Sequence, residues 1–487
     1  MKHTATLLLL LLLTSGIQAQ QLQLDTVGTS KSFSSELAGN CQYMGTVDTV
    51  SYFASREARM FNMSPIQIIA TDAHYRTLKT MSIDGTKNFN ILYANISNGE
   101  AVLLMRDGSE KKSEAVYRVS VRLDSMTIAD SLKQMYRINL NNKGRIIMLS
   151  AVSPNGKYVG VVSAATQKNG TINTGEAMMY NESARPMWKK GINLRNLTSV
   201  SVTDDGTLIT LGSHIVGQTD SLDIHVVSTT DKLDYPAVLV FDSCTPVKTQ
   251  LIGESNGVVL IGGFVRHPKV HAPGPSGLFT AAFNPAEQQL TRPATYRFSN
   301  SDFCCINNTT KYKDKKKKAT EGQQRLRIED KIPTTYGAAI LLQGLYNVTT
   351  EENGQTTVIY HKQGSLLFGV GTDGNIRWHC GIRTLSVNDD GGCFQHTPLL
   401  RNGDNVYFVQ NEHHKTAAYV PGQPIKALEE KTNSNLALYT ITPTGEVSRQ
   451  VILANTKWAL GNSHPVEHGV LFQLGLKGNS TLMQLRY

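Results

Sequence analysis

Apolar residues in this chain fall in short runs rather than in long stripes. Ile146-Ile147-Met148-Leu149, Tyr158-Val159-Gly160-Val161-Val162, Leu208-Ile209-Thr210-Leu211 and Val258-Val259-Leu260-Ile261 begin a series that 338–342, 406–409 and 470–472 continue. Each run has strand length and either alternates with a period of two or is apolar throughout, as in a strand buried on both faces. Polar turns separate the runs: Pro154-Asn155-Gly156-Lys157, Asp204-Asp205-Gly206-Thr207, Ser255-Asn256-Gly257, Thr372-Asp373-Gly374-Asn375, Asn402-Gly403-Asp404 and Pro443-Thr444-Gly445-Glu446. Asn-Gly and Asp-Gly tolerate positive φ, which tight hairpin turns demand. One stretch, 127–136, reads as a short insertion helix with a Ser/Thr cap.

The turns keep a period. Gly156, Gly206 and Gly257 lie 50 and 51 residues apart. Four antiparallel strands and their turns need about 40–50 residues, the size of one propeller blade. The pattern predicts an all-β chain folded as a single β-propeller of about seven blades, each a four-stranded antiparallel sheet; six or eight fit the same spacing. Blades are expected to begin near 88, 140, 200, 247, 334 and 396. The strands of 457–487 are expected to pair with a strand near 44–53, so that N- and C-terminal strands close the ring and leave no open edge. Two stretches, 177–188 and 365–378, each run strand, polar turn, strand and end in a tryptophan, Trp188 or Trp378. Both rings are expected to pack between neighbouring blades.

The N-terminus has a different pattern. Lys2 precedes the unbroken run Leu7 to Leu13, Thr14-Ser15-Gly16 breaks it, and Ala19 offers a small residue for cleavage. The run is too short to span a bilayer about 30 Å thick, and it reads as a cleaved signal peptide over 1–19. No later stretch is apolar for long enough to form a transmembrane segment. The expected organisation is a signal peptide at 1–19, an N-terminal extension at 20–40 and the propeller at 41–487, exported to the periplasm, the cell surface or the extracellular space.

Composition narrows this further. The chain has 487 residues, 40% hydrophobic and 18% charged, which excludes an intrinsically disordered protein. The net charge is +9. The segment 311–318 holds six lysines and one aspartate, so over half of that excess sits in one place. It reads as a solvated, disordered basic loop at about 306–331. Aromatics and arginines are not interleaved with the lysines, so nucleic acid is not the expected partner.

The run Trp188-Lys189-Lys190-Gly191-Ile192 followed by Val202-Thr203-Asp204-Asp205-Gly206-Thr207-Leu208 resembles secreted bacterial β-propeller proteins of unknown function. The stretch from Gly253 to Gly263 followed by Gly277-Leu278-Phe279 carries the same resemblance. So does Asp373-Gly374-Asn375-Ile376-Arg377-Trp378 followed by Asn405-Val406-Tyr407-Phe408. The resemblance covers roughly residues 140 to 487. It implies a propeller fold and export, with no catalytic residues to carry over.

Candidate chemistry is spelled out in places and opposed by context. Gly253-Glu254-Ser255-Asn256-Gly257 matches the G-x-S-x-G elbow, which needs a helix after it; the strand-like 258–263 follows instead. His464-Pro465-Val466-Glu467-His468 matches H-x-x-E-H, but Gly469 and a strand leave no room for the helix that would align the histidines. Asp220-Ser221-Leu222-Asp223 and Asn388-Asp389-Asp390-Gly391 read as solvated acidic turns without calcium-loop spacing. The candidate binding residues are Glu412, His413 and His414, just past the strand 406–409, where His361, His379 or His396 could join them on a metal. Cys380 and Cys393 are the candidate disulfide, suited to an oxidising compartment.

The expected function is a non-catalytic binding or scaffold module in the envelope or outside the cell. Its partner would be a protein or a glycan, with no nucleic acid, no resident metal and no cofactor, and the chain would be a monomer. The alternative is a glycan-active or other hydrolytic enzyme with its site at the channel mouth, because propellers can hold active sites there.

Overall fold

The computed structural model describes residues 23–29, 40–56, 65–110, 112–140, 144–167, 172–192, 197–216, 219–227, 235–241, 244–267, 275–306, 325–352, 355–383, 386–388, 397–416, 428–429, 433–456, 459–466, 469–476 and 479–486. The described residues form eight sheets, six of them four-stranded. In chain order the first seven begin with the strands Asn40–Val47, Phe89–Ser97, Gly144–Val152, Leu197–Val202, Thr245–Ser255, Arg325–Thr334 and Leu400–Asn402, and we number them sheets 1 to 7. Sheets 1 to 5 and 7 pair antiparallel as meanders; in sheet 6 the meander carries an addition, Ser386–Asn388, which pairs antiparallel with Gln355–Gly371 and parallel with Leu428–Glu429. Sheet 8 contains Ala459–Val466, Gly469–Leu476 and Asn479–Arg486, and its edge strand is Gln23–Thr29.

All seven apolar runs named above lie inside strands. The turn glycines Gly156, Gly206, Gly257, Gly374, Gly403 and Gly445 all have positive φ. At the hairpin between Thr245–Ser255 and Val258–Arg266, Asn256 and Gly257 have φ of 53° and 75°. That is the two-residue turn whose twist matches the flanking strands. The elbow spelling at Gly253–Gly257 is therefore a hairpin followed by a strand, and the histidine motif at 464–468 lies on the strand Ala459–Val466 as far as it is described.

Four expectations are corrected. The stretch 127–136 is the outer strand Thr127–Asn139 of sheet 2 rather than a helix. Pairing with Ser113–Arg122 overrides its weak helical pattern. The stretch 44–53 does not pair with the C-terminal strands. It belongs to sheet 1 and pairs internally, while Asn479–Arg486 pairs with Gln23–Thr29. Counting those two stretches as one sheet gives seven; they form separate sheets. Of the loop expected at about 306–331, residues 325–331 belong to a strand and 307–324 lie outside the described residues. Asn300–Ile306 is a helix (α1), and a strand starts at Arg325. Finally, Asp220–Asp223 lies within the strand Thr219–Val227, not in a turn. The export signal at 1–19 and the lysine run at 311–318 lie outside the described residues.

The first strands of neighbouring sheets lie beside one another, and the outer strands Thr77–Ile83, Thr127–Asn139 and Pro186–Gly191 are largely exposed. Contacts link sheet 1 to 2, 3 to 4, 4 to 5, 5 to 6 and 6 to 7 through first strands, and the first strand of sheet 8 returns to Asn40–Val47. The core lies between sheets. One cluster joins Met44, Ile66 and Ile68 of sheet 1 to Leu103, Met105 and Val119 of sheet 2. Another joins Leu260 and Phe264 of sheet 5 to Ile340, Leu366 and Phe368 of sheet 6. Each such apolar face removes from water the residues that alternation alone cannot hide, at about 25 cal/mol per Å².

Trp378 packs as expected. It is buried with Leu399, Val406 and Phe408 of sheet 7, lies over Gly369 of its own sheet and touches the Gly445 turn of the next. Trp188 packs against the cluster that joins Val162 and Met179 of sheet 3 to Val202 and Leu208 of sheet 4. Hydrogen bonds reinforce these seams. Thr280 Oγ1 of sheet 5 donates to the Gly374 carbonyl at 2.6 Å. The Leu399 N–H donates to Asp330 Oδ2 at 2.6 Å, and the Leu460 N–H donates to Asn411 Oδ1 at 2.6 Å.

Candidate functional site

Glu412, His413 and His414 sit at the end of the second strand of sheet 7, Asn405–His413. The strand is buried continuously from Val406 on, so Glu412 and His413 are both buried. The Arg449 Nε donates to Glu412 Oε2 at 2.9 Å, Nη2 donates to the same oxygen, and the Tyr439 hydroxyl donates to Oε1. Glu412 and its hydrogen bonds hold the Arg449 guanidinium above its ordinary pKa against a desolvation that lowers it. Burial and then the Glu412 carboxylate push the Tyr439 phenol up. A buried carboxylate satisfied on both oxygens is structural chemistry. The imidazoles of His413 and His414 stack 4.6 Å apart. His413 Nδ1 accepts from the Lys415 N–H and His414 Nδ1 donates to the Asn433 carbonyl, both at 2.9 Å. Both rings thus spend a nitrogen on the backbone.

The histidines that could have joined them are elsewhere. His361 lies on the strand Gln355–Gly371 of sheet 6, and His396 lies outside the described residues. His379 meets α1 instead. Ser299 caps α1: the Ser299 N–H donates to Asp302 Oδ2 at 2.8 Å and the Asp302 N–H donates back to Ser299 Oγ at 3.2 Å. This is the reciprocal capping box of a short helix. The Tyr296 hydroxyl donates to the same Oδ2 at 2.8 Å and lies 2.8 Å from His379 Nε2. Asp302 is buried; its Oδ2 is spent on the cap and on Tyr296, and its Oδ1 lies 3.7 Å from His379 Nε2. Among the described residues no three His, Cys, Asp or Glu side chains gather in a metal-binding group. Cys380 carries a free thiol whose pKa burial pushes up to about 12. Cys393 lies outside the described residues.

A second set of polar groups collects where the periodic turns of sheets 3, 4 and 5 meet. The Asn155 N–H donates to Asp204 Oδ1 at 2.8 Å, and Asn155 Nδ2 donates to the Asp204 carbonyl at 3.1 Å. Glu254, at the end of the first strand of sheet 5, accepts from the Asp204 backbone. Desolvation, with smaller repulsion from Asp204 and Asp205, raises the Glu254 carboxyl to about 7. Its Oε2 is buried without a partner. The spacing of the turn glycines carries the signal for this junction, since equal positions in successive sheets must be spatial neighbours.

The third place is an outer groove between sheets 2 and 3, with a volume of about 560 Å³. One wall is 130–135 of the bulged outer strand of sheet 2 together with Arg118; the other is Arg185 and Pro186. Arg118 Nη1 donates to Asp130 Oδ2 at 2.7 Å, and its Nε donates to the Ser183 carbonyl at 3.1 Å. Arg118 first, with Arg185 further off, holds the Asp130 carboxyl below its ordinary pKa. None of these residues stands out as a candidate in the sequence. The one local signal is the polar turn 181–186, which looks like any other hairpin.

No protein-family model matches the chain, and no curated protein matches it significantly. Solved structures resemble it at low identity. The β-propeller domain of the Trilobed protease from Pyrococcus furiosus, described as having an open velcro topology, is 11% identical with a TM-score of 0.37, over 82% of this chain and 93% of that one. Oligogalacturonate lyase from Vibrio parahaemolyticus is 9% identical with a TM-score of 0.34, over 96% and 97%. The Dos1 propeller is 7% identical with a TM-score of 0.43, over 95% and 94%.

Proposed function

We propose that this chain is an exported, non-catalytic β-propeller that acts as a binding or scaffold module in the cell envelope or outside the cell. In this reading the eight sheets are blades of one ring, Gln23–Thr29 completes the last blade, and 1–19 directs export. The observation that carries the reading is the use made of the polar side chains. Glu412 is held by Arg449 and Tyr439, Asp302 caps α1, and Asp204 ties Asn155 to Glu254. Polar groups committed to seams between and within sheets make a rigid scaffold, on whose surface a partner docks without chemistry.

One observation favours the enzyme alternative. A carboxyl raised to about 7 beside two other carboxylates is the arrangement that gives glycosidases their general acid. Product analysis separates the two. The full chain is incubated with a panel of acidic and neutral hexasaccharides, and both binding and chain length are measured. Binding with every oligosaccharide intact, or crosslinked capture of one stoichiometric protein, supports the module. Shortened products that disappear in Glu254→Gln establish the enzyme instead.

A further inference from the structure

We infer that the groove between the outer strands of sheets 2 and 3 binds an acidic oligosaccharide through its uronate carboxylates. The inference rests on the binding-module reading and names its ligand class. The groove exists because the outer strand Thr127–Asn139 is too long for its partner. Nine residues, 128–136, oppose only six, 116–121, with register breaks at three points along that pairing. Bulges bend a strand, disrupt its ladder and re-aim its side chains. They also remove the regular row of backbone N–H and C=O groups that an added peptide strand needs. The wall so formed, 130–135, is the one that lines the groove.

The chemistry of that wall suits a sugar acid. Arg118, Lys133 and Arg185 bring three positive charges, and Asp130 brings one negative charge. Arg118 is already anchored by Asp130 and by the Ser183 carbonyl, which leaves Arg185 and Lys133, both exposed, as the ligand-facing cations. Arg185 suits bidentate capture of a carboxylate. Leu132, Met135 and Pro186 offer apolar surface for the faces of sugar rings, and Ser131 and Gln134 offer hydrogen bonds for hydroxyls. A volume of about 560 Å³ falls inside the range of small-molecule sites, about 300–1,000 Å³.

The probe is hexamannuronate, with neutral mannohexaose and hexaglutamate as controls, titrated calorimetrically into the full mature chain at low salt. Hexamannuronate is expected to bind. Mannohexaose, which lacks the carboxylates, is expected to bind at least about tenfold more weakly, as loss of a charge-assisted pair implies. Hexaglutamate, which keeps the carboxylates but has no sugar face to lay on Leu132, Met135 and Pro186, is expected to bind more weakly than hexamannuronate. The variant carrying Arg185→Ala and Lys133→Ala is expected to lose about tenfold or more in affinity while keeping its unfolding midpoint, since both side chains are exposed. Asp130→Asn is expected to tighten binding, because it removes the only negative charge on the wall. A variant with Lys315 to Lys318 changed to alanine is expected to bind like the parent. Equal binding of hexaglutamate, full affinity in the groove variant, loss of affinity in the lysine variant, or no binding of hexamannuronate by the parent would each overturn the inference. A chain that ignores uronates but captures a neutral glycan or a protein would overturn this inference and leave the module reading standing.

Discussion

Two arginine–carboxylate pairs in this molecule have nearly the same chemistry and opposite surroundings. Arg449 and Glu412 in sheet 7 have side chains 8% and 1% exposed, and Tyr439 donates to the carboxylate's other oxygen. Arg118 and Asp130 at the rim of sheet 2 are 11% and 61% exposed. In the first pair neither charge can reach water, so the pair is part of the core and has nothing left to offer a ligand. In the second the arginine is fixed while its partner stands in solvent beside a groove and a second arginine. Burial, rather than residue type, decides which cluster serves folding and which can serve binding.

The largest expected effect breaks the buried pair. Glu412→Ala leaves the Arg449 guanidinium buried without its counter-charge and should cost about 3–5 kcal/mol, read by urea denaturation. Next comes the seam between sheets 5 and 6. Gly374 has a φ of +79°, and a Cβ there would lie 2.5 Å from the Ala282 backbone nitrogen. Neither the conformation nor the backbone can give way cheaply, so Gly374→Ala should cost about 1–3 kcal/mol in the same assay.

A smaller effect is tied to pH. The folded chain holds the Glu254 proton more tightly than the unfolded chain does, because its pKa is about 7 rather than the ordinary 4.5. The folded state therefore binds the extra proton between those values, and stability should fall as pH rises from 4.5 to 7 and level off above. Glu254→Gln should flatten that part of the profile of unfolding midpoint against pH. The smallest effect is at the rim. Asp130→Asn breaks an exposed pair and should change stability by less than about 1 kcal/mol, so any larger loss would place this pair with the buried one.

The two regions also differ in how far the sequence exposes them. The seams are legible: blade-length spacing of Gly156, Gly206 and Gly257 marks turns that do stack on one another, and Trp378 packs where a strand-ending tryptophan is expected. Such positions are dictated locally, by positive φ and by alternation. The rim is not legible. Thr127–Asn139 looks helical because its bulges shift the apolar positions away from a period of two. Glu412 stands out in the sequence as a candidate, but its role does not, because its partner Arg449 is 37 residues away and no local pattern links them. The edge strand of sheet 8 escapes sequence reasoning for the same reason: Gln23–Thr29 pairs with residues near the opposite end of the chain.

The most direct test measures unfolding midpoint and hexamannuronate affinity on the same two variants, Glu412→Gln and Arg185→Ala. The two readouts should cross. Glu412→Gln lowers the midpoint and, at temperatures where it remains folded, keeps the parent affinity; Arg185→Ala keeps the midpoint and loses affinity. If Glu412→Gln abolished binding in the folded protein while Arg185→Ala bound normally, the functional site would lie at sheet 7 and the distinction drawn between the two pairs would be contradicted.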